Sequence, residues 1–277
     1  MDKILLIDKP VGIGSTDVVR IVKRSLGIKK VGHCGTLDPL AEGLLIVVTG
    51  KACKIARFIE DGIKEYIATI TFGKSSLTLD AEGPFSDEQE VKKVSTEAID
   101  KVLDSFVGNI SQTPPIYSAL KVDGKRLYEY ARENKEVEIK SREVEIYELE
   151  LINYDINTLT FRCVCSKGTY IRTLAQDIAS KLGNLGYVSY LKRTAIAELR
   201  VKDANSIEDI KNGNFQSINM YEALKNYKMI EVNDDVAEQV KQGKTESLKY
   251  KGQYVIVDKY KSVIAMCENN KILRGLF

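Results

Sequence analysis

The leading candidate for chemistry is Asp38, which lies in the segment VGHCGTLDPLAEGLLIVV from Val31 to Val48. Pro39 biases Asp38 towards an extended backbone, so the carboxylate is expected to project from a stiff, glycine-flanked turn. Such a carboxylate can act as a nucleophile or stabilise positive charge in a reacting group. From spacing alone, however, the favoured interpretation is a turn-capping Asp38 and a packing role for His33, the single histidine of the chain.

Other chemistries are disfavoured by the residue types present. Five cysteines, an odd number without a secretion signal, indicate reduced thiols. Cys34 beside His33 raises the possibility of a thiol nucleophile, but adjacent residues in an extended segment point in opposite directions. One histidine and no CxxC pair do not predict a zinc site. The glycine-containing turn after Ile4 to Ile7 lacks the spacings GxxxxGKS/T and GxGxxG, so nucleotide binding is not predicted.

The residues around Asp38 also carry a family resemblance. The segment GHCGTLDPLAEGLL resembles the motif around the catalytic aspartate of the TruB family, the bacterial tRNA pseudouridine-55 synthases, with Cys34 and Glu42 as local variations. Four further segments match family motifs in the family's order, over about the first 200 residues. They are ILLIDKPVGIGS (Ile4 to Ser15), QTPPIYSALKVDGKRLYEYAR (Gln112 to Arg132), CSKGTYIRTL (Cys165 to Leu174) and LKRT (Leu191 to Thr194).

The resemblance implies an isomerase that converts the T-loop uridine at position 55 of tRNA to pseudouridine. The uracil is detached at its N-glycosidic bond, rotated and rejoined to the ribose through C5, so no redox cofactor, metal or nucleotide energy source is expected. The uridine must be flipped out of the folded loop, at a cost of a few kcal/mol. Whether the aspartate attacks the sugar, attacks the base or takes a proton from the sugar stays open at this point.

The family resemblance gives each site residue its expected role. Asp38 is the expected catalytic carboxylate, Arg172 is expected to pair with it and orient it, and Tyr66 is expected to stack on the extruded base. Without the resemblance, Tyr66 is a core aromatic and Arg172 a surface residue. The remaining site residues are expected to line or support the site: His33 against the RNA loop, Leu191 as an apolar wall, and Lys9 and Tyr170 as supports.

Hydrophobic periodicity places these residues on regular elements. Val18, Val22 and Leu26 recur every four residues and predict a helix that starts near Ser15 or Thr16 and stops at Gly27. Alternating apolar residues predict a strand over KEYIATITF, from Lys64 to Phe72, with Tyr66 near its start.

A second helix is predicted after Thr169, which is expected to cap it, and it continues to Gly183. Tyr170 and Arg172 would then occupy the first turn, where an anion is favoured. Before this helix, the segment from Tyr117 to Lys121 is predicted to be a strand.

The pattern of elements and the resemblance together predict an α+β pseudouridine synthase fold, with a mixed, mainly antiparallel sheet and a central cleft. The catalytic domain is expected over residues 1–226. Residues 227–277 carry strand and helix signals of their own and are expected to form a small, β-rich, PUA-like RNA-binding domain. This segment is similar in position and size to the domain that commonly ends TruB proteins.

Charge and composition limit the kinds of binding partner that the sequence predicts. Lys+Arg of 41 against Asp+Glu of 39 gives a net charge of +2, so RNA binding must depend on local patches. The stretch from Lys121 to Arg142 mixes basic residues with tyrosines, as in surfaces that follow an RNA backbone, although glutamates dilute it. The expected partner is the T-arm of tRNA. No apolar run approaches the ~20 residues of a membrane helix, and a cytoplasmic monomer without membrane or metal partners is expected.

Two other functional classes stay open at this stage. A non-catalytic RNA-binding or RNA-folding protein would keep the basic, aromatic surface without needing Asp38. A small-molecule phosphotransferase would need the early glycine turn to bind phosphate.

Overall fold

The computed structural model describes residues 2–246 and 248–276, and the chain divides into two compact units. The first unit comprises Met1–Gly62 and Ala195–Phe277, and the second unit comprises Ile63–Thr194. Met1 lies outside the described residues, as do Ser247 and Phe277 of the predicted C-terminal domain. These units are defined by compactness, so the functional boundary predicted at residue 226 remains a prediction.

The strands are numbered in chain order. They are β1 Ile4–Lys9, β2 Val31–Cys34, β3 Glu42–Thr49, β4 Lys64–Phe72, β5 Lys74–Ser76, β6 Phe85–Glu88, β7 Gly108–Gln112, β8 Lys121–Val122, β9 Lys125–Arg126, β10 Arg142–Tyr154, β11 Thr158–Cys165, β12 Gly186–Ile196, β13 Leu199–Arg200, β14 Lys228–Glu231, β15 Gln253–Val257, β16 Val263–Glu268 and β17 Lys271–Gly275.

The helices are numbered in the same way. They are α1 Ser15–Leu26, α2 Ala56–Glu60, α3 Thr96–Asp104, α4 Leu127–Arg132, α5 Ile171–Lys181, α6 Ile207–Asn212, α7 Met220–Ala223 and α8 Asp234–Lys241, with short 3-10 turns at Gly50–Ile55 and Val201–Asp203. Helices and strands therefore both contribute substantially, and the predicted α+β class is confirmed.

In the first unit, β3 pairs antiparallel with β1 and with β2. Ile4 of β1 lies opposite Val48, and Lys9 lies opposite Gly43. Residues 44–48 of β3 are fully buried, as expected for a continuous apolar run that is covered on both faces. The buried strand β3 therefore anchors the C-terminal side of the Asp38 turn.

Helix α1 begins and ends where its sequence signals place it. Gly14 is the N-cap, and its backbone N–H donates to the Asp17 carboxylate at 3.0 Å. Gly27 ends the helix at a φ of 63°, a left-handed conformation that glycine adopts without steric cost. Val18 and Val22 are fully buried, so the apolar stripe seen in the sequence is the packed face of the helix.

The C-terminal part of the first unit is a four-stranded sheet in the order β14, β15, β16, β17. β14 runs parallel to β15, and the other pairs are antiparallel. One face packs with Ala237 and Val240 of α8. The other face contributes to the core that contains Ile4 and Phe58, through Val255, Val257, Val263 and Met266. The predicted small β-rich segment thus shares its core with the N-terminal strands.

In the second unit, β4, β11, β10 and β7 pair antiparallel in that order. β12 is the neighbour of β4 on its other side. Gly186 starts β12 where a Cβ would lie 2.8 Å from both the Ala179 Cβ of α5 and a methyl carbon of Ile70, so only glycine allows this close approach. The strand and helix that carry Tyr66 and Arg172 are therefore tightly packed elements.

Two local predictions were wrong. Residues 117–119 form bends, residue 120 has no regular secondary structure, and the strand β8 begins only at Lys121. Thr169 does not cap α5: the N-cap is Tyr170, without a side-chain cap bond, while the Thr169 hydroxyl donates to the Ser166 carbonyl at 3.0 Å. Thr169 instead closes a local turn, a frequent alternative for this residue type outside helices.

The five cysteines, all within the described part of the chain, form no disulfide, and Cys34, Cys163, Cys165 and Cys267 are buried. Within the described part of the chain, we find no helix with the length and apolar character needed to span a membrane.

Candidate active site

Asp38 lies in the turn between β2 and β3 of the first unit. The backbone of this turn is fixed on both sides of the residue: the Ala41 N–H donates to the Asp38 carbonyl at 3.1 Å, and the Gly12 N–H donates to the Pro39 carbonyl at 2.8 Å. The side chain is half-buried, so the carboxylate lies neither in the core nor fully in solvent. A stiff turn with a partly desolvated carboxylate fits a nucleophile or charge stabiliser.

Lys9 is fully buried at the end of β1. Its ammonium group donates to the Pro10 carbonyl at 2.9 Å and to the Ile13 carbonyl at 2.8 Å. These two carbonyls flank Gly12, whose N–H binds the Asp38 turn at Pro39. Lys9 thus holds the loop that contacts the Asp38 turn, a placement that agrees with its expected supporting role.

His33 is the third predicted site residue in the first unit. It lies on β2 opposite Val47 and is half-buried. β2 fixes the backbone of His33 a short distance along the chain from Asp38. The expected role of His33 against the RNA loop remains a prediction.

In the second unit, Arg172 lies in the first turn of α5 and is 5% exposed. Its guanidinium donates from Nη1 to the Thr78 carbonyl at 2.6 Å and from Nη2 to the Tyr117 carbonyl at 2.9 Å. The Nη1 atom also lies 3.3 Å from an Asp80 carboxylate oxygen. The reading of Arg172 as a surface residue is therefore wrong: the planar guanidinium is held by several acceptors at once.

Asp80 is a site candidate that the sequence did not reveal. It is 1% exposed, and its Oδ1 accepts from the Thr78 hydroxyl at 2.6 Å and from the Glu82 N–H at 3.1 Å. Its other oxygen forms the buried ion pair with Arg172. Asp80 directly precedes a turn. Because an aspartate beside a turn is ordinarily solvated, no local feature of the sequence indicated the buried pair.

Tyr66 lies on β4 opposite Cys163 and is 8% exposed. Burial raises the pKa of its hydroxyl to about 12, although the neighbouring Arg193 guanidinium opposes this shift and hydrogen-bonds the hydroxyl. Arg193 is itself 1% exposed on β12. Tyr66 is thus a neutral, oriented phenol over the physiological pH range. The sequence named Arg193 within LKRT without a role, because burial of an arginine on a strand leaves no periodic signature.

Tyr170 and Leu191 complete the predicted set. The Gln112 side-chain amide binds the Tyr170 backbone twice, donating to its carbonyl at 3.0 Å and accepting from its N–H at 2.7 Å. The Arg142 guanidinium lies 4.7 Å from the Tyr170 ring centroid, within range of a cation–π interaction. Leu191 is 6% exposed on β12, and its role as an apolar wall remains a prediction.

The basic and aromatic stretch of the second unit is ordered by cation–π contacts. The Tyr128 ring has Arg126 at 5.9 Å and Arg132 at 5.3 Å, and Lys125 lies 4.8 Å from the Tyr130 ring. Side chains of this kind provide positive charge and stacking surfaces together.

The predicted site residues are divided between the two units. Lys9, His33 and Asp38 belong to the first unit, and Tyr66, Tyr170, Arg172 and Leu191 to the second. The expected pairing of Asp38 with Arg172 joins residues of different units and remains a prediction. Among the residues that the structure describes, no cluster of three or more His, Cys, Asp or Glu side chains is arranged to hold a metal ion.

Comparison with known proteins identifies a matching family model and similar chains. Residues 23–171 match the family model described as TruB family pseudouridylate synthase (N terminal domain). The chain is 43% identical over 256 residues to the tRNA pseudouridine synthase B of Geobacillus kaustophilus, which covers 88% of this chain and 90% of that protein. It is 37% identical over 269 residues to the Mesoplasma florum protein of the same name, covering 96% of this chain and 93% of that protein.

A solved structure shares the fold. The matching chain in the crystal structure of a Cbf5-Nop10-Gar1 complex superposes with a TM-score of 0.77 at 21% identity, covering 99% of this chain and 85% of that chain. The family model spans more than half of the sequence, and the relatives match at well above 30% identity over most of it. The chain therefore belongs to the TruB family of pseudouridylate synthases.

Proposed function

We propose that this protein isomerises a uridine of tRNA to pseudouridine, and that its target is the T-loop uridine at position 55. The observation that carries the proposal is family membership over nearly the whole chain, with relatives named tRNA pseudouridine synthase B. The enzyme is then an isomerase, and the rival classes of phosphotransferase and purely RNA-binding protein are not proposed.

The chemistry balances without an external reactant. The bond between N1 of uracil and C1′ of ribose breaks, a bond from C5 to C1′ forms, C5 loses a proton and N1 gains one. Asp38 supplies the carboxylate for this exchange. It can act by attack on the sugar, by attack on the base or by accepting a sugar proton, all of which need it ionised and fixed in place.

The other site residues are proposed to prepare the substrate and the carboxylate. The target base must leave its stack, and Tyr66 provides an aromatic face for it while Leu191 provides an apolar wall. His33 occupies the space the base leaves or stacks against the RNA loop. Arg172 pairs with Asp38 and orients it, and the carbonyl and Asp80 contacts within its own unit support that role by fixing the guanidinium.

The proposed partner is the T-arm of tRNA, bound by a monomer in the cytoplasm. We propose residues 1–226 as the catalytic domain and residues 227–277 as a PUA-like RNA-binding domain. The exposed lysines of the latter, such as Lys249 and Lys251, support phosphate contacts.

The test is incubation of the protein with an unmodified tRNA transcript, followed by chemical mapping of pseudouridine. A single modified position in the T-loop is expected. Asp38→Asn, nearly isosteric but unable to act as a nucleophile or base, is expected to abolish product while leaving tRNA binding within about twofold of the unchanged protein. Product at another position would reject the target, and substantial product from Asp38→Asn would reject the role of Asp38.

A further inference from the structure

The Ser15 side chain forms a two-way hydrogen-bond clasp with a distant residue. Its hydroxyl donates to the Leu37 carbonyl at 2.9 Å and accepts from the Leu37 N–H at 2.8 Å. Ser15 is 3% exposed and Leu37 is 4% exposed, so both bonds are shielded from water. A single hydroxyl thus satisfies both backbone polar groups of a buried residue.

The clasp fixes the backbone that leads into Asp38. The N–H of Leu37 belongs to the peptide plane before its Cα, and its carbonyl belongs to the plane it shares with the N–H of Asp38. Because peptide planes are rigid, binding both groups sets the two dihedral angles of Leu37 and the direction in which the chain enters Asp38. On the other side, the Gly12 and Ala41 bonds already hold the turn. Ser15 constrains the turn on its N-terminal side.

The hydroxyl is not needed by its own helix. Serine near a helix start usually accepts a bond from the backbone of its first turn. Here Gly14 is the N-cap and the Asp17 carboxylate binds the Gly14 N–H, while the Ser15 hydroxyl points to Leu37. Since α1 is packed through Val18 and Val22, its first residue is a rigid anchor for the Asp38 turn.

We propose that Ser15 is a positioning residue for Asp38, acting through the Leu37 backbone. The inference rests on the proposed function, in which Asp38 is the catalytic carboxylate. Because catalysis by a carboxylate depends on its placement to within about 1 Å, loss of the clasp should slow the chemical step without weakening tRNA binding.

The test compares Ser15→Ala, Ser15→Cys and the matched control Thr16→Ala, which removes an exposed hydroxyl from the next residue. Single-turnover rates, steady-state kcat and KM, and tRNA affinities are measured well below the unfolding temperature, with the folded state checked by circular dichroism. Ser15→Ala is expected to lower kcat about 10- to 100-fold with KM and Kd within about twofold. The thiol of Ser15→Cys is a weaker donor and acceptor, so the kcat of this variant should lie between those of the unchanged protein and Ser15→Ala. Thr16→Ala should have the kcat of the unchanged protein.

The outcomes separate this inference from the proposed function. An unchanged protein that makes no pseudouridine, or an active Asp38→Asn, overturns the proposed function or the role of Asp38. If those controls behave as expected, folded Ser15 variants with undiminished kcat overturn the positioning role, as does a rise in KM and Kd at constant kcat. If Ser15→Ala does not fold, Ser15→Cys decides: full kcat in that variant rejects the inference.

Discussion

At the scale of single residues, the polar groups of the second unit are arranged around the planar guanidinium of Arg172. The guanidinium donates hydrogen bonds to two backbone carbonyls and forms an ion pair with the Asp80 carboxylate. Lysine presents a point charge on a flexible stem and cannot reproduce that fork. The geometry of this arginine therefore matters more than its charge.

Arg172→Lys is accordingly expected to reduce kcat about 100-fold while changing tRNA affinity little, because the charge is kept and the geometry is lost. The measurement is kcat, KM and Kd with a tRNA transcript. Arg162→Lys is the matched control, since Arg162 pairs with Glu65 and Glu148 in the same unit and has no proposed role in the reaction. Equal turnover in Arg172→Lys and Arg162→Lys would remove Arg172 from the catalytic set.

Tyr66 combines a ring and a hydroxyl whose roles can be separated. If Tyr66 stacks on the flipped base, Tyr66→Phe keeps the ring and should retain kcat within about fivefold, whereas Tyr66→Leu should lose at least about tenfold. Steady-state rates of both variants decide this. A comparable loss in both variants would assign the function to the hydroxyl, for proton transfer or for the bond with Arg193.

The raised pKa of Tyr66, about 12 in the folded protein, also predicts a pH dependence of stability. Between about pH 10 and pH 12 the folded state keeps the Tyr66 proton while the unfolded state loses it. The unfolding free energy must then fall as pH rises through this window. Tyr66→Phe lacks the group, so the difference in unfolding free energy between the two proteins, from urea titrations, should be constant below pH 10 and decline above it. A constant difference to pH 12 would contradict the shift.

The residue scale is also where the sequence was least informative. The Asp38 turn was recognisable because its motif is local and contains glycine, aspartate and proline in fixed order. The burial of Asp80, Arg193 and Ser15 was not, because each is polar and its partners are distant along the chain. Polar residues inside a fold follow the tertiary structure, and no periodic pattern marks them.

At the scale of elements, the apolar pattern was sufficient wherever one face is packed. Strand β4 was predicted with the bounds Lys64–Phe72 that it has, since its residues alternate strictly between buried and half-buried. The strand predicted from Tyr117 to Lys121 does not form before Lys121. In this segment the Tyr117 carbonyl accepts a hydrogen bond from the Arg172 guanidinium. Side-chain bonds of that kind override local strand propensity.

The Gln112 amide is the element-scale link between the end of β7 and the start of α5. Gln112 is 1% exposed, so Gln112→Met would leave the Tyr170 N–H and carbonyl without this partner. We expect a loss of about 1–3 kcal/mol of unfolding free energy, because the bonds are lost and desolvated backbone groups remain. Urea unfolding measures it, with the exposed Gln176→Met on α5 as control. A loss in Gln112→Met no larger than in this control would show that the amide bonds are dispensable.

At the scale of the whole molecule, the sequence correctly predicted that the C-terminal segment is rich in β-strands, but it did not reveal how that segment is packed. Val255, Val257 and Met266 lie in the same core as Ile4 and Phe58. The sequence pattern led us to expect a separate domain for this segment. Apolar residues on a strand show that one face of the strand is buried, but they do not identify the element that packs against it. Deleting residues 227–277 would therefore expose part of the N-terminal core and confound RNA binding with loss of stability.

The RNA-binding role proposed for this segment is better tested on its surface. Lys244, Lys249, Lys251 and Lys271 are exposed, so their replacement by glutamine leaves the shared core intact. If each contacts a phosphate, the quadruple variant should bind tRNA more weakly, and the slope of log K against log salt should become shallower by about 3, since each lost contact removes about 0.7–0.9. The effect should appear in KM, with kcat at saturating tRNA nearly unchanged, because the proposed catalytic residues lie elsewhere in the chain.

The control for these lysines must change net charge equally at positions without a proposed RNA contact. Replacing the exposed Lys29, Lys93, Lys101 and Lys202 by glutamine meets that condition. Binding titrations of both quadruple variants across a salt series, with melting temperatures, then distinguish specific contacts from a general electrostatic field. Equal weakening in the two variants would mean that only total charge matters, and an unchanged salt slope in the C-terminal variant would leave this segment with the structural role that its shared core already provides.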